Sequence, residues 1–208
     1  SEESSDSNNV YKKDVNLDTL IPGESIVSGD RGTENVGLAV FKGDTYIGKL
    51  SVIETLCYTL IEEEVDNFYV SIDNPFESNK KIDLSVSSLE PACIKIDLNN
   101  SVPIITLKLN LNAKALNGQE NLDFSDKEVL KKINESFQNY LTSKMKDFLY
   151  KTSREYKCDL NGFYRLVKQK FLTLPEYKAF NWEKQYQSAD FNIEIESDVI
   201  SSFLVQNS

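Results

Sequence analysis

The longest uninterrupted stretch of the chain lies between residues 125 and 156, where neither glycine nor proline occurs. Ser125 and Glu128 form a capping box at its start, and apolar side chains then recur every three or four positions, which predicts an amphipathic helix. About 30 helical residues make a rod of roughly 45 Å, long enough to cross a sheet. The apolar stripe consists of Val129, Leu130, Ile133, Phe137, Tyr140, Leu141, Met145, Phe148 and Leu149.

This stripe allows two interpretations. A coiled-coil seam would bind a helix of a partner, whereas a helix packed on a sheet would bury the stripe inside the domain. The stripe is wider than a two-position seam and follows no clean heptad. We therefore expect the helix to lie across a sheet with its apolar face on the core.

Four segments before this helix alternate apolar and polar residues, which is the pattern of strands with one buried face. Turn clusters at 73–75, 90–91 and 99–101 separate them, and such short links favour antiparallel neighbours. The four predicted strands are 68–72, 82–87, 94–98 and 105–113.

A hairpin and a first helix precede these strands. Residues 36–41 and 45–50 are apolar runs on either side of Lys42-Gly43-Asp44, a good turn sequence for a hairpin. Ser51 and Glu54 then form a capping box for a helix that ends near residue 61.

The chain after the long helix continues with a second helix from Phe163, a connecting segment at 174–182 and a last alternating strand from Phe191, which we expect to pair back into the sheet. The resulting order, β-β-α-β-β-β-β-α-α-β, predicts an α+β fold. Its sheet is mostly antiparallel or mixed, with the long helix and shorter helices packed on it. Residues 1–34 are predicted to be a flexible lead-in or linker remnant, and residues 35–208 to form the domain.

Composition excludes several classes of function. The 208 residues carry a net charge of −10, which argues against binding of DNA or RNA through the phosphate backbone. The absence of histidine removes every catalytic triad that uses it and every zinc site of the HExxH type. No run reaches the ~20 apolar residues that span a bilayer. The acidic charge also agrees with a domain that does not lie flat on anionic lipid.

The three cysteines, Cys57, Cys93 and Cys158, are far apart and odd in number, which argues against disulfides and a structural zinc site. Cys57 and Cys93 lie in apolar patterns and are expected to be buried thiols. Cys158 lies in a polar junction and is expected to be the most exposed.

Motifs for nucleotide cradles and calcium loops are missing, and any one pair among the 33 acidic residues is weak support for acid–base catalysis. Four aromatic residues follow the second helix and allow two interpretations: a binding patch, or a clasp that packs the connecting segment onto the long helix. They are Tyr177, Phe180, Trp182 and Tyr186. We assign no catalytic, cofactor-binding or metal-binding residue, and we expect no cofactor.

Two stretches of the sequence are informative together. The first is Gly37-Leu38-Ala39-Val40-Phe41-Lys42-Gly43-Asp44, followed by Ile47-Gly48-Lys49-Leu50. The second is Tyr156-Lys157-Cys158-Asp159-Leu160-Asn161-Gly162-Phe163, followed by Asn181-Trp182-Glu183 and the last strand. In this order, over roughly residues 35–205, they resemble the C-terminal domain of the Ger(x)C family, the C subunit of bacterial spore germinant receptors.

The resemblance implies a non-enzymatic receptor subunit in nutrient-triggered spore germination. Members of that family are lipoproteins at the outer face of the spore inner membrane, and they assemble with integral membrane subunits of the A and B types. Their lipidated cysteine lies near the N-terminus of the full protein. Because the three cysteines here fall within the domain pattern, we expect the anchor to be absent from this fragment, whose opening SEESSDSNN reads like the interior of a longer protein.

The same resemblance gives a few residues structural roles. Gly37, Gly43 and Gly48 are expected to let the hairpin turn and pack closely. Asp159 is expected to cap the helix that starts near Gly162, with a partner contact as the other interpretation. Two further classes of function stay open: a domain that itself binds a small nutrient molecule, and a carboxylate-dependent hydrolase with two acids facing each other in a cleft.

Overall fold

The structure is a computed structural model, and it describes residues 37–77, 79–116 and 122–201. It has an α+β fold, as the sequence predicted, with seven strands and five α-helices in these ranges. Residues 1–34, the predicted lead-in, lie outside the described part of the chain. The elements are β1 Leu38–Lys42, β2 Thr45–Leu50, α1 Val52–Glu62, β3 Phe68–Asp73, β4 Lys81–Ser88, β5 Cys93–Asp97, β6 Ile104–Ala115, α2 Lys127–Tyr150, α3 Tyr164–Lys168, α4 Leu174–Phe180, α5 Trp182–Tyr186 and β7 Asp190–Ser201.

Two sheets are present among the described residues. Strands β1 and β2 form an antiparallel hairpin of their own. In the five-stranded sheet, β6 is central: β4 and β5 pair antiparallel with its two halves, and β3 pairs antiparallel with β4. The last strand, β7, runs parallel to β6 along its whole length. Strand β7 occupies one edge of β6, and β4 and β5 share the other edge. The sheet is mixed because β7 is parallel to β6 while the other pairings are antiparallel.

Helix α2 lies across this sheet, as predicted, and contacts both β3 and β7. Its apolar stripe is buried with the inward side chains of β6 in one core. The buried residues of the helix are Ile133, Phe137, Leu141, Met145, Phe148 and Leu149. The helix begins one residue later than predicted, because the Asp126 carboxylate, not the Ser125 hydroxyl, accepts the Glu128 N–H at 2.8 Å.

The end of α2 continues into a π-helical turn, Lys151–Glu155, in which the Tyr156 N–H reaches the Lys151 carbonyl at 3.0 Å. This turn ties three parts of the fold together. The Lys151 ammonium lies 2.8 Å and 2.9 Å from the two oxygens of Glu54, and it donates to the Lys49 carbonyl at 3.2 Å. Glu54 also closes the predicted capping box of α1, accepting the Ser51 N–H at 2.7 Å.

Tyr156 anchors the hairpin to this turn. Its hydroxyl donates to the Lys49 carbonyl at 2.6 Å and accepts the Lys49 N–H at 3.1 Å. A side chain at position 48 would place its Cβ 2.5 Å from the Tyr156 ring, so only glycine allows this approach. Gly43 has a φ of 61° in the hairpin turn, a conformation that L side chains rarely adopt. The predicted roles of both glycines are confirmed.

Two of the three expectations on the cysteines are wrong. Cys93 is exposed and Cys158 is half-buried, whereas Cys57 is buried as expected. Cys93 has the opposite parity to Ile94 and Ile96, which face the core, so its side chain faces solvent. The connecting segment forms the short helices α4 and α5, joined at Asn181 in a left-handed conformation.

None of the helices in the described part of the chain combines the length and apolar character that crossing a membrane requires.

We predict that Lys151→Met lowers the free energy of unfolding by about 1–3 kcal/mol, because it leaves the half-buried Glu54 carboxylate without its cation. Burial lowers the pKa of Lys151, but the hydrogen bonds and charge of Glu54 outweigh burial and hold the pKa above its ordinary 10.5. The stabilisation is therefore complete below pH 10.5 and is lost as the pH rises through the raised pKa of the folded state.

Urea unfolding of the unmodified chain and of Lys151→Met, at neutral pH and above pH 10.5, measures the difference in their free energies of unfolding. The control is Lys80→Met, which removes a more exposed ion pair with Glu77 and should cost less than about 1 kcal/mol. Equal losses in the two variants, or a Lys151 loss that persists unchanged at high pH, would contradict the prediction.

Candidate functional site

A cleft of about 270 Å³ lies where the hairpin meets the chain that follows the π-helical turn. The hairpin supplies Lys42 to its wall, and α3, α4 and α5 supply aromatic and charged side chains. The residues that line it are Lys42, Lys157, Cys158, Asp159, Tyr164, Tyr177, Trp182 and Glu183. The two stretches that carry the family resemblance thus meet in one place: Lys42 comes from the first, and Asp159, Trp182 and Glu183 come from the second.

Asp159 organises the cleft. One carboxylate oxygen accepts the Phe163 N–H at 3.0 Å, and the other accepts the Tyr164 N–H and the Trp182 indole N–H, each at 2.8 Å. Asp159 accepts backbone N–H bonds at the start of α3, as predicted, although the N-cap position itself is Phe163. The bond to Trp182 was not anticipated, and it fixes α5 against the start of α3. Burial raises the pKa of Asp159, and these three hydrogen bonds partly offset that effect.

The backbone on both sides of Asp159 turns sharply. Lys157 has a φ of 50° and Gly162 a φ of 63°. The left-handed conformation is unusual for lysine, so the surrounding bonds must hold it in place. One of these bonds runs from the Cys158 N–H to the Thr152 carbonyl at 3.0 Å. This bond ties the chain before Asp159 to the π-helical turn, and the Asp159 side chain therefore points inward.

An ion pair between Lys42 and Glu183 connects the hairpin with α5 at the rim of the cleft. The hydrogen bond that Lys42 donates to Glu183 raises the pKa of the Lys42 ammonium, although both side chains are about half exposed. Exposed pairs of this kind contribute little to stability, about 0–1 kcal/mol. The pair therefore affects the charges at the rim of the cleft more than it affects the stability of the domain.

The chemical groups in the cleft are already engaged. Both Asp159 oxygens accept hydrogen bonds, and the Glu183 carboxylate is paired with Lys42. Burial raises the pKa of the Cys158 thiol, which keeps it protonated rather than nucleophilic. Among the described residues, no three cysteine or acidic side chains converge in a way that could hold a metal ion.

The four aromatic residues of the sequence divide between the two interpretations. Tyr186 is buried, and its hydroxyl lies 2.7 Å from the Thr152 hydroxyl of the π-helical turn, so it acts as the clasp. Trp182 is buried as well but also lines the cleft, so it fits both interpretations. Phe180 packs on Phe171 at 5.1 Å between ring centroids. Tyr177 is half-buried and lines the cleft, as the binding-patch interpretation requires.

An exposed aromatic pair lies on the hairpin next to this site. The rings of Phe41 and Tyr46 pack edge to face with centroids 5.7 Å apart, and each residue keeps more than half of its surface exposed. Phe41 precedes Lys42, the hairpin residue in the cleft. Two aromatic side chains that remain exposed beside a charged cleft are typical of a contact surface for another protein.

Sequence reasoning found Asp159 and the aromatic residues but missed Lys157, Tyr164 and Glu183 as neighbours in a cleft. Their only sequence signal was membership in the resembling stretch or proximity to it. Lys42 and Glu183 are 141 positions apart, and no local pattern encodes such a contact.

Comparison with known proteins identifies the family. A family model described as "Spore germination B3/GerAC like, C-terminal" matches residues 36–202. The chain belongs to this family, which confirms the resemblance inferred from the two stretches.

The fold is similar to the crystal structure of the GerBC protein, with a TM-score of 0.63 and 18% sequence identity. The match covers 80% of this chain and 52% of that chain, so this chain spans about half the length of GerBC. Among curated proteins no match was found.

We predict that Asp159→Ala destabilises the domain by about 3 kcal/mol, because three N–H donors lose their acceptor at a largely buried position. Asp159→Asn should cost less, since its amide oxygen still accepts from one or two of them. Urea unfolding of both variants tests this order. The control is Asp66→Ala at an exposed position, and a loss at Asp159 no larger than at Asp66 would contradict the prediction.

Proposed function

We propose that this chain is the C-terminal domain of a germinant receptor C subunit and acts through contacts with integral membrane subunits of the A and B types. The receptor responds to nutrients during spore germination. An N-terminal lipid anchor holds the subunit at the outer face of the spore inner membrane. Family membership over residues 36–202 is the observation that supports this function most directly.

The exposed hairpin supports a contact role. Phe41 and Lys42 belong to the stretch that resembles the family, yet Phe41 packs outward against Tyr46 and not into the core. A large aromatic side chain gains about 25 cal/mol for each Å² of apolar surface that a partner covers. Aromatic residues of this kind are frequent anchors at protein interfaces. We assign the hairpin face with Phe41 and Tyr46 as the surface that meets the membrane subunits.

A non-enzymatic role fits the chemistry of the cleft. A general acid or base must be able to exchange its proton with a substrate, and a nucleophile must be deprotonated or have a base beside it. Asp159 is held by three N–H donors, Glu183 by Lys42, and the Cys158 thiol stays protonated. This arrangement favours a positioning role for these residues over the hydrolase hypothesis.

We predict that Phe41→Ser combined with Tyr46→Ser reduces co-purification of the full-length subunit with the A and B subunits by tenfold or more. The reason is that each aromatic anchor contributes about 1–2 kcal/mol to the binding free energy. The matched control is Tyr69→Ser on β3, which removes an aromatic side chain of similar exposure from the other sheet. Circular dichroism confirms that both proteins fold. Equal recovery of the membrane subunits with the double variant and the control would refute the hairpin assignment.

Nutrient binding in the cleft is the second candidate function. The cleft presents an ammonium group, carboxylates and aromatic rings, a set that suits a small zwitterion, but its volume is below the ~300–1,000 Å³ usual for ligand pockets. A ligand at 100 times its Kd would add about 2.7 kcal/mol of stability. Under the contact hypothesis we expect no thermal shift with any of the common amino acids or sugars. A shift that disappears in Lys42→Met would support nutrient binding instead.

A further inference from the structure

The segment from the end of α3 into α4, residues 168–178, exposes two leucines and carries a net positive charge. Leu172 is 97% exposed and Leu174 is 51% exposed, which makes Leu172 the most exposed large apolar residue in the described ranges. Three lysines and one glutamate accompany them within residues 168–178, in a chain whose net charge is −10. We call this segment the leucine loop; its exposed charged residues are Lys168, Lys170, Glu176 and Lys178.

The loop is held in this exposed conformation by its neighbours. Phe171 packs against Tyr177 and Phe180, with ring centroids 5.9 Å and 5.1 Å apart, so the loop turns one apolar residue inward and the next outward. The Thr173 hydroxyl caps α4 by accepting the Glu176 N–H. Leu172 therefore points into solvent although the loop itself is well anchored.

We infer that the leucine loop is a contact site for an anionic lipid bilayer, with Leu172 and Leu174 inserted between headgroups and the lysines around them binding lipid phosphates. Lipid fits better than an acidic protein partner because the apolar side chains protrude, and a bilayer accepts a protruding side chain without a matching pocket. Lysine stems can lie along the apolar boundary while their ammonium groups stay at the headgroups. The assignment rests on the proposed location of the domain beside a membrane.

The charge elsewhere on the domain would orient this contact. The open face of the sheet carries Glu194, Glu196 and Asp198 on β7, with Glu90 close to Glu196 and Asp198. Lys108 on β6 offsets one of these charges, because it pairs with Glu196 at 2.7 Å. An anionic surface repels that face and attracts the basic loop. The domain would therefore meet the bilayer at the leucine loop and not lie flat, which refines the expectation from its overall charge.

The test is co-sedimentation of the 208-residue chain with vesicles of mixed phosphatidylglycerol and phosphatidylcholine, and with vesicles of phosphatidylcholine alone. Two double variants separate the apolar contribution from the electrostatic one. Leu172→Ser with Leu174→Ser removes the inserted side chains, and Lys168→Glu with Lys170→Glu removes the attraction to lipid phosphates. All four positions are exposed, so we expect the variants to fold.

Leu89→Ser is the apolar control, because Leu89 is 58% exposed beside Glu90, Glu196 and Asp198. Lys127→Glu with Lys131→Glu on α2 changes the net charge equally.

We expect binding to anionic vesicles that weakens with added salt, and a loss of about tenfold or more in each loop variant, given the usual contributions of leucine burial and of lysine at an anionic surface. The two controls should bind like the unmodified chain. No binding to anionic vesicles, or equal losses in loop and control variants, would overturn the inference. The vesicles contain no receptor subunits, so failure here leaves the proposed subunit contact unaffected, and failure of that contact leaves this result unaffected.

Discussion

The burial of the α2 stripe against the five-stranded sheet is the interaction on which the other features depend. The helix contacts both β3 and β7, so its axis is fixed relative to the sheet. Because the helix runs directly into the π-helical turn, the position of Lys151 and Tyr156 is fixed as well. These two residues bind the hairpin and α1, and the chain then enters the turn that carries Asp159. The cleft is therefore placed by the core of the domain, although almost none of its own residues belong to that core.

Much of the fold follows from periodicity. The alternation along β6 and the three- and four-residue spacing along α2 each require one buried face. The structure buries the predicted residues of β6 and most of the α2 stripe, whereas Val129, Leu130 and Tyr140 are half-buried. The parallel pairing of β7 with β6 could not be predicted in this way, because period two is the same for parallel and antiparallel strands. The alternation along β5 predicts that Cys93 faces solvent, because its neighbour Ile94 faces the core. The expectation that Cys93 is buried followed the general tendency of cysteine to be buried, and it was wrong.

The candidate site was predictable only in part. Asp159 before a helix start is a local signal, and its capping bonds follow from it. The bond to the Trp182 indole depends on where α5 packs, and this depends on Tyr186 reaching Thr152. The Lys42–Glu183 pair depends in turn on Tyr156 holding the hairpin in place. Each of these contacts joins residues far apart in sequence, so only the assembled fold reveals them.

The cleft and the leucine loop share one piece of chain. Tyr164 at the start of α3 and Tyr177 on α4 both line the cleft, and residues 169–173 connect these two helices. Phe171 in this connection packs on Tyr177 and Phe180, while its neighbour Leu172 points outward. The same aromatic cluster therefore supports one wall of the cleft and holds Leu172 in its exposed position, so the packing of Phe171 places both features at once.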